Sequence, residues 1–251
     1  MKTITERVAV VTGALGGVGQ ALCRTFAEAG YSVISSDRES VSSTDFSYAH
    51  VPIDLHAYCI DGSIREQAHN RFDAALAGRS LVVVIHNAAL QIVKPMEALT
   101  AEDWQRTLNI NVTAPFLLTQ RLLPYLETAQ GSVLHIGSIH AALTKPEFVA
   151  YATSKSALSG LTRSLAVELG RRVRVNAICP AAIATPMLMA GFSGQPVVLE
   201  ELEMMHPVGH IGQPEDVAAL ALFLASDSAR FINGAEVGLD GGIRARLHDP
   251  V

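Results

Sequence analysis

Short runs of apolar and β-branched residues alternate along this chain with longer segments whose apolar positions recur at helical spacing. The strand-like runs cover residues 7–12, 31–37, 49–55, 81–89, 131–138, 173–180 and 235–242. The helical segments cover residues 20–30, 63–78, about 101–127, 150–170 and 214–226. The unbroken apolar run at 81–89 is typical of a parallel strand that is covered on both faces. Strands alternating with helices throughout predict one α/β domain, residues 1–251, with a doubly wound, mostly parallel seven-stranded sheet and helices on both faces.

Composition and charge narrow the class of protein. The 251 residues are 49% hydrophobic and 17% charged, which allows a large buried core and excludes a disordered chain. A net charge of -5 argues against a nucleic-acid surface. The three widely spaced cysteines form neither a disulfide framework nor a metal-binding pattern, so we expect a reducing compartment and no metal. Because no signal peptide or membrane span is apparent in the sequence, we expect a cytoplasmic protein without membrane partners.

A glycine-rich turn joins the first strand to the first helix. In "VTGALGGVGQ", Gly13, Gly17 and Gly19 follow the spacing T-G-x-x-x-G-x-G. Glycines at such a turn let a pyrophosphate approach the backbone, and the free N–H groups at the start of the helix can bind it. Many glycine-rich loops are only tight turns, but the strand before and the helix after this one favour dinucleotide binding.

An aspartate, Asp37, ends the second strand 18 residues after Gly19. In a dinucleotide-binding fold this position faces the adenosine ribose, where a carboxylate accepts hydrogen bonds from hydroxyls and repels a 2′-phosphate. Asp37 therefore predicts NAD as the cofactor in preference to NADP. The alternatives are a turn-forming aspartate and an NADP site in which the following Arg38 holds the phosphate.

The motifs taken together resemble the short-chain dehydrogenase/reductase family along nearly the whole chain. They are "TGALGGVG" at 12–19, "NAA" at 87–89, Asn111 in "LNINVTAPF", Ser138 in "HIGSIHA", "YATSK" at 151–155, "NAICPAAIATPM" at 176–187 and "GLDGG" at 238–242. This resemblance implies a single Rossmann domain that acts as a dehydrogenase or reductase and assembles as a homotetramer. Two departures, Ala89 and Ala181, stand where the family usually has glycine and leave less room beside the cofactor.

The resemblance also implies roles for individual residues. The catalytic set is Asn111, Ser138, Tyr151 and Lys155. The cofactor-binding set is Gly13, Leu15, Gly17, Val18, Gly19, Asp37, Arg38, Asp54, Leu55, Asn87, Ala88, Tyr151, Lys155, Pro180, Ile183 and Thr185. In these sets Tyr151 is the acid/base, Ser138 orients the substrate, Asp54 lies near the adenine and Thr185 contacts the nicotinamide carboxamide.

The pair Tyr151 and Lys155 has a physical reason to act together. A free tyrosine, with a pKa near ~10, is a poor base at neutral pH. Residues four apart share one face of a helix, so we expect the Lys155 cation to lower the pKa of the Tyr151 hydroxyl. Asn111 is expected to hold a water that passes the proton on through Lys155. The alternative is a merely packed tyrosine beside a solvated lysine.

The sequence says less about the substrate. The predicted substrate-binding residues are Gln91, Ser138, His140 and Tyr151. Gln91 and His140 resemble residues of 3-hydroxybutyrate dehydrogenases, but Phe148 stands where those enzymes carry a substrate-binding lysine, and Lys145 is shifted by three positions. A hydroxy acid, a sugar or a polyol therefore all remain candidates. The segment 186–210, rich in Gly, Pro and Met, is expected to be a lid over the substrate, with local core as the alternative.

Two other functions compete with an NAD-dependent dehydrogenase. One is an NADPH-dependent carbonyl or 3-oxoacyl thioester reductase, which Asp37 disfavours. The other is a dinucleotide-binding regulator without turnover, which would not need the complete catalytic set. For assembly, we expect helices about 101–127 and 150–170 to pack between subunits, with a stripe formed by Leu158, Leu161, Leu165 and Leu169 as the apolar contact.

Overall fold

The computed structural model describes residues 6–40, 45–191 and 196–247. In these residues one seven-stranded sheet, parallel throughout, has the strand order β3-β2-β1-β4-β5-β6-β7. The strands are β1 Arg7–Thr12, β2 Ser32–Asp37, β3 Ala49–Pro52, β4 Ser80–His86, β5 Ser132–Ile136, β6 Arg174–Pro180 and β7 Glu236–Leu239. The predicted doubly wound fold is confirmed, and most strands are shorter than predicted.

Helices cover both faces of this sheet. They are α1 Gly17–Glu28, α2 Leu55–Ile60, α3 Gly62–Leu76, α4 Ala101–Leu108, α5 Ala114–Ala129, α6 Val149–Leu169, α7 Pro186–Gly191, α8 Pro196–Met204 and α9 Pro214–Ala225. On one face, apolar side chains of α3, α5 and α6 pack against the strands. On the other face, α1 and α9 do so. No helix within the described ranges is long and apolar enough to cross a membrane.

The segment predicted as one long helix at about 101–127 differs from that expectation. It is built of α4 and α5 with a π-helical turn, Asn109–Thr113, between them. Thr100 begins α4 with a capping box, since its side chain accepts from the Asp103 N–H while the Asp103 carboxylate accepts from the Thr100 N–H. A π-turn inside a helix is frequent at functional sites, and this one carries Asn111.

The order in which strands are added to the sheet reverses between β1 and β4, and a crevice forms at the carboxyl ends of these two strands. In open α/β sheets, ligands bind at such a point. The first helical crossovers run from β1 towards β3, and those after β4 run the other way to β7. The fold therefore places the glycine turn after β1 and the "NAA" segment after β4 side by side.

Candidate active site

The glycine turn is shaped by contacts that leave no space for side chains. Gly13 has φ +63°, and a Cβ there would lie 2.7 Å from the Ala88 Cα. A Cβ on Gly19 would lie 2.0 Å from the Gly13 carbonyl oxygen. Gly16 precedes α1 without a side-chain cap, so no side chain competes there for the first N–H groups of the helix. The turn fits the pyrophosphate of a dinucleotide, which needs close backbone approach and such donors.

Thr12 and Asn87 fix this turn to the end of β4. The Asn87 side chain donates to the carbonyl oxygens of Thr12 (3.1 Å) and Gly13 (2.9 Å). The Thr12 hydroxyl oxygen accepts from the N–H groups of Asn87 (3.1 Å) and Ala88 (3.2 Å). Thr12 opens the glycine motif, but its role here was not predicted, because it depends on β1 and β4 being neighbours in the sheet.

Asp37 lies half-buried at the end of β2. One carboxylate oxygen accepts from the Leu15 N–H at 3.0 Å, and the other accepts from the Arg38 N–H at 2.7 Å. Two backbone donors thus hold the carboxylate at the edge of the glycine turn. The Arg38 residue itself is exposed.

Asp54 begins α2, a helix that was not predicted. Its carboxylate accepts from the N–H groups of His56 (2.9 Å) and Ala57 (3.0 Å). The next residue but one, His56, bonds through Nδ1 to the buried Asn109 side chain at 3.2 Å. This contact joins the start of α2 to the π-helical turn.

A cleft of about 970 Å³ runs along the carboxyl ends of the central strands. Most of the predicted cofactor residues line it, together with Gln91: Gly13, Leu15, Gly17, Val18, Gly19, Asp37, Arg38, Asp54, Leu55, Asn87, Ala88, Tyr151 and Thr185. The cleft wall also includes residues that were not predicted as site residues: Thr12, Ser36, His56, Arg106 and Ile110. Other predicted residues belong to the surroundings of the cleft rather than to this wall: Asn111, Ser138, His140, Lys155, Pro180 and Ile183.

Lys155 is buried behind Tyr151 on α6. Its ammonium donates to the Ile136 carbonyl oxygen at 2.7 Å and lies 5.5 Å from the centre of the Tyr151 ring. Burial lowers the pKa of Lys155 to about 8. Because Ile136 ends β5, this bond ties the helix to the carboxyl end of the strand.

The pKa of the Tyr151 hydroxyl differs from the value that the sequence predicts. Burial raises its pKa above the ordinary value, and a side-chain hydrogen bond with Ser138 offsets only part of that effect. In the protein alone the pKa of Tyr151 therefore lies above its ordinary value, whereas the sequence predicts a lowered one. Helical spacing does bring the cation close to the ring, but desolvation of the phenolate is the larger effect.

Ser138 and His140 lie beside Tyr151 on the loop after β5. The Ser138 hydroxyl oxygen accepts from the His140 N–H at 3.1 Å. The His140 ring stacks on Phe148 at 4.6 Å and meets the Tyr151 ring edge-on at 5.7 Å. The Lys145 ammonium lies 4.7 Å from the centre of the Phe148 ring. Phe148 thus supports His140 against Tyr151, which is a role that no sequence motif indicated.

Asn111 is buried and joins three parts of the fold. Its side-chain oxygen accepts from the Leu90 N–H at 2.7 Å, and its amide donates to the Leu90 carbonyl (2.9 Å) and the Ser154 hydroxyl (2.9 Å). The π-helical turn, the segment after β4 and helix α6 are held together in this way. The water relay expected at Asn111 stays a prediction.

Thr185 and Pro186 line the cleft where the chain passes from β6 to the segment 186–210, and the role of that segment as a lid stays a prediction. Pro180 and Ile183 are buried, and the Thr185 hydroxyl oxygen accepts from the Leu188 N–H at 3.2 Å. Within 186–210 lie α7 and α8, and Met189, Met204 and Met205 are exposed. Phe192 and the Met187 side chain lie outside the described residues.

The arrangement brings together two hydroxyls, from Ser138 and Tyr151, and one buried cation beside a cleft that fits a dinucleotide. Such a group can exchange a proton with the oxygen of an alcohol or a carbonyl compound. No cluster of potential metal ligands occurs among the residues that the structure describes.

Comparison with known proteins gives matches along almost the whole chain. A family profile described as Enoyl-(Acyl carrier protein) reductase matches residues 13–244. The chain is 33% identical to 3beta-hydroxysteroid dehydrogenase 1 of Eggerthella lenta over 244 residues, 94% of this chain and 93% of that protein. It is 31% identical to the 3-oxoacyl-(acyl-carrier-protein) reductase FabG of Thermotoga maritima over 243 residues, 94% of this chain and 97% of that protein. The ligand-free aldohexose dehydrogenase of Thermoplasma acidophilum superposes with a TM-score of 0.89 at 26% identity, covering 98% of this chain and 97% of that one.

Proposed function

The chain belongs to the short-chain dehydrogenase/reductase family of NAD(P)-dependent oxidoreductases acting on CH–OH groups, and we propose that it transfers a hydride between NAD and a small secondary alcohol or its ketone. The observation that carries this proposal is the group formed by Ser138, Tyr151 and Lys155 at the edge of the cleft. A dinucleotide-binding regulator without turnover would have no need of this group.

In the proposed reaction, the Tyr151 oxygen takes the proton of the substrate alcohol. Bound NAD supplies the hydride acceptor. The Ser138 hydroxyl donates to the substrate oxygen and so orients it against Tyr151. Lys155, held by the Ile136 carbonyl, places a positive charge close to the tyrosine ring, and this charge together with that of oxidised NAD, when bound, would offset the desolvation that raises the pKa of Tyr151 in the protein alone. Asn111 holds α6 against the segment after β4, because its side chain bonds to Ser154 on the helix and to Leu90 in that segment.

Asp37 supports NAD as the preferred cofactor. The carboxylate is fixed by the N–H groups of Leu15 and Arg38 and cannot turn away without losing both bonds. A 2′-phosphate would then meet a fixed negative charge. Gly13, Leu15, Gly17, Val18 and Gly19 would surround the pyrophosphate, and Asp54 and Leu55 would lie towards the adenine.

A small polar substrate fits the residues near Tyr151. Gln91 and His140 offer hydrogen bonds for a sugar, a polyol or a hydroxy acid, and the segment 186–210 would close over it as a lid. Similarity to an aldohexose dehydrogenase supports the sugar class among these. A single Rossmann domain in a cytoplasmic homotetramer completes the proposal.

The apolar stripe on α6 lends the tetramer little support. Leu158 and Leu169 are buried within the chain itself, and Leu165 packs against the same core. The tetramer therefore rests on the family resemblance and on exposed side chains such as Val167. Light scattering at micromolar concentration tests it, and a monomer would contradict it.

The reaction is tested with a panel of sugars, polyols and hydroxy acids, read at 340 nm with NAD and separately with NADP. We expect NADH formation with at least one secondary alcohol and a higher kcat/KM with NAD than with NADP. An equal or higher kcat/KM with NADP would contradict the cofactor assignment.

A second candidate is an NADPH-dependent reductase of 3-oxoacyl thioesters. Similarity to the FabG reductase of Thermotoga maritima and the exposed Arg38 beside Asp37 favour it. Oxidation of NADPH with an acetoacetyl thioester, measured beside the alcohol panel, separates the two candidates.

A further inference from the structure

Two histidines occupy neighbouring positions at the carboxyl ends of β4 and β5. His86 and His135 are partners in the register of the two parallel strands. Their rings stack at 5.3 Å with an angle of 29° between the planes, and their exposed fractions are 3% and 0%. They lie on the face of the sheet that α5 and α6 cover, since each bonds to one of these helices. Two polar rings so deeply buried require hydrogen-bond partners.

Each ring is bonded to a threonine on a different helix. His86 Nε2 lies 2.9 Å from the Thr119 hydroxyl oxygen on α5, and His135 Nδ1 lies 2.8 Å from that of Thr162 on α6. The Thr162 hydroxyl itself donates to the Leu158 carbonyl oxygen at 2.9 Å. Its oxygen therefore accepts from His135, which places the imidazole proton on Nδ1.

That tautomer leaves His135 Nε2 as a buried acceptor, and it has no partner among the described residues. Burial lowers the pKa of His86 to about 3 and, with His86 and Lys155 adding to the effect, moves that of His135 well below its ordinary value. Burial thus disfavours the charged form of both rings. An unsatisfied buried acceptor costs stability, so the pair needs a reason other than the stability of the core.

The residues that follow the two histidines belong to the site. Asn87 follows His86 and anchors the glycine turn, and Ile136 follows His135 and accepts from Lys155. Thr162 lies seven residues after Lys155, which is two helical turns along the same face of α6. Two bonds thus hold α6 against β5. One joins the side chains of His135 and Thr162, and the other joins the Lys155 ammonium to the Ile136 carbonyl oxygen.

We propose that His86 and His135 form a staple between α5 and α6, and that the staple positions Tyr151 and Lys155 for the hydride-transfer reaction. The staple consists of His86, His135, Thr119 and Thr162. All four are positioning residues, because they act through α6 and through the ends of the strands. The proposal rests on the function proposed above.

The test compares Thr162→Val, which has the same shape but no hydroxyl, with Thr162→Ser, which keeps the acceptor. Because misplacement of catalytic groups by about 1 Å can cost ~100-fold in rate, we expect Thr162→Val to lower kcat by about 10-fold or more. KM for NAD should change by less than kcat does, because Thr162 itself does not line the cleft. Thr162→Ser should restore kcat, and Thr128→Val, which removes a comparable hydroxyl bond on the exposed face of α5, should leave kcat unchanged.

Rates are expressed per folded enzyme, with the folded fraction taken from circular dichroism and urea unfolding. A Thr162→Val variant that is less stable but has wild-type kcat would overturn the proposal, because the staple would then be structural only. If Thr162→Val does not fold, the proposal is tested with Thr119→Val, which removes the bond between α5 and His86. We expect a loss in kcat of about 3-fold or more there, and an unchanged kcat rejects the staple. Activity that survives Tyr151→Phe would instead reject the proposed function itself.

Discussion

The two walls of the cleft are held in different ways. The wall made by strand ends is fixed by bonds between backbone and side chains, such as those from Asn87 to Thr12 and Gly13, and by the contact of Asp37 with the Leu15 N–H. On the opposite side only Thr185 and Pro186 among the described residues line the cleft, and the helices α7 and α8 that follow carry exposed apolar side chains such as Val197 and Val198. We call the first side the fixed wall, and we call the segment 186–210, which would differ with the substrate if it covers it as proposed, the variable wall.

Removing the Tyr151 hydroxyl tests the fixed wall with the largest expected effect. Positioned acid–base groups contribute ~10²–10⁴-fold, so Tyr151→Phe should lower kcat by about that factor while NAD binding persists. The measurement is kcat by NADH formation, with NAD affinity from fluorescence titration. Thr153→Val, on the exposed side of the same helix, is a matched control that should keep its rate.

Gly19→Ala tests how tightly the glycine turn is packed. A Cβ at this position would lie 2.0 Å from the Gly13 carbonyl oxygen, so the turn or α1 must shift. We expect a loss of about 3 kcal/mol in the free energy of unfolding, with weaker NAD binding. Gly160→Ala is the matched control, because a Cβ there meets nothing within 4 Å and a glycine inside a helix is unfavourable. Urea unfolding of both variants decides, and a Gly19→Ala protein as stable as wild type would contradict the packing argument.

Much of this fixed wall could be predicted, because its constraints are local in the sequence. The glycine spacing, the strand-ending Asp37 and the i,i+4 relation of Tyr151 and Lys155 each follow from a short stretch of chain. The hydrophobic periodicity likewise predicts the strand and helix order, since both faces of the sheet must be covered.

The features that were missed depend on contacts between distant segments. Thr12 acts only because β1 lies beside β4, and the stacking of His86 on His135 needs the register of β4 and β5. The π-helical turn at 109–113 has the same apolar periodicity as an ordinary helix. The raised pKa of Tyr151 in the protein alone was not predicted, because spacing shows a nearby charge but not the depth of burial.

The buried Lys155 should make the free energy of unfolding depend on pH. Burial lowers its pKa from 10.5 to about 8, so between these values the unfolded chain holds a proton that the folded chain has released. The free energy of unfolding should therefore rise with pH across this window through Lys155. Between about pH 7.5 and about pH 9.5, wild type should gain about 2 kcal/mol relative to Lys155→Met. Urea unfolding at both pH values measures this, and other groups cancel because both proteins carry them. Equal pH dependence in the two proteins would show that Lys155 is not desolvated.

Asp37→Asn tests whether the fixed carboxylate selects the cofactor. The amide oxygen can still accept from the Leu15 N–H, so the turn keeps its shape while the charge is lost. Since a like charge beside a phosphate costs at least ~1 kcal/mol, the preference for NAD over NADP should fall by about 10-fold. The ratio of kcat/KM for the two cofactors is the measurement. An unchanged ratio would mean that Asp37 shapes the turn but does not read the ribose.

Val197→Ser tests the variable wall and has the smallest expected effect. Val197 is 65% exposed on α8, so its replacement should change the free energy of unfolding by no more than about 0.5 kcal/mol. If the segment 186–210 covers the substrate, KM for the alcohol should change by about 2-fold while KM for NAD stays the same. Ile60→Ser is the matched control, because Ile60 is also 65% exposed but ends α2 on the other wall. A change in KM for NAD at Val197, or an equal change in alcohol KM at Ile60, would remove the distinction between the two walls. An effect confined to the alcohol would support the proposal that α8 lies over the substrate, because Val197 lines no part of the described cleft that holds the dinucleotide in this proposal.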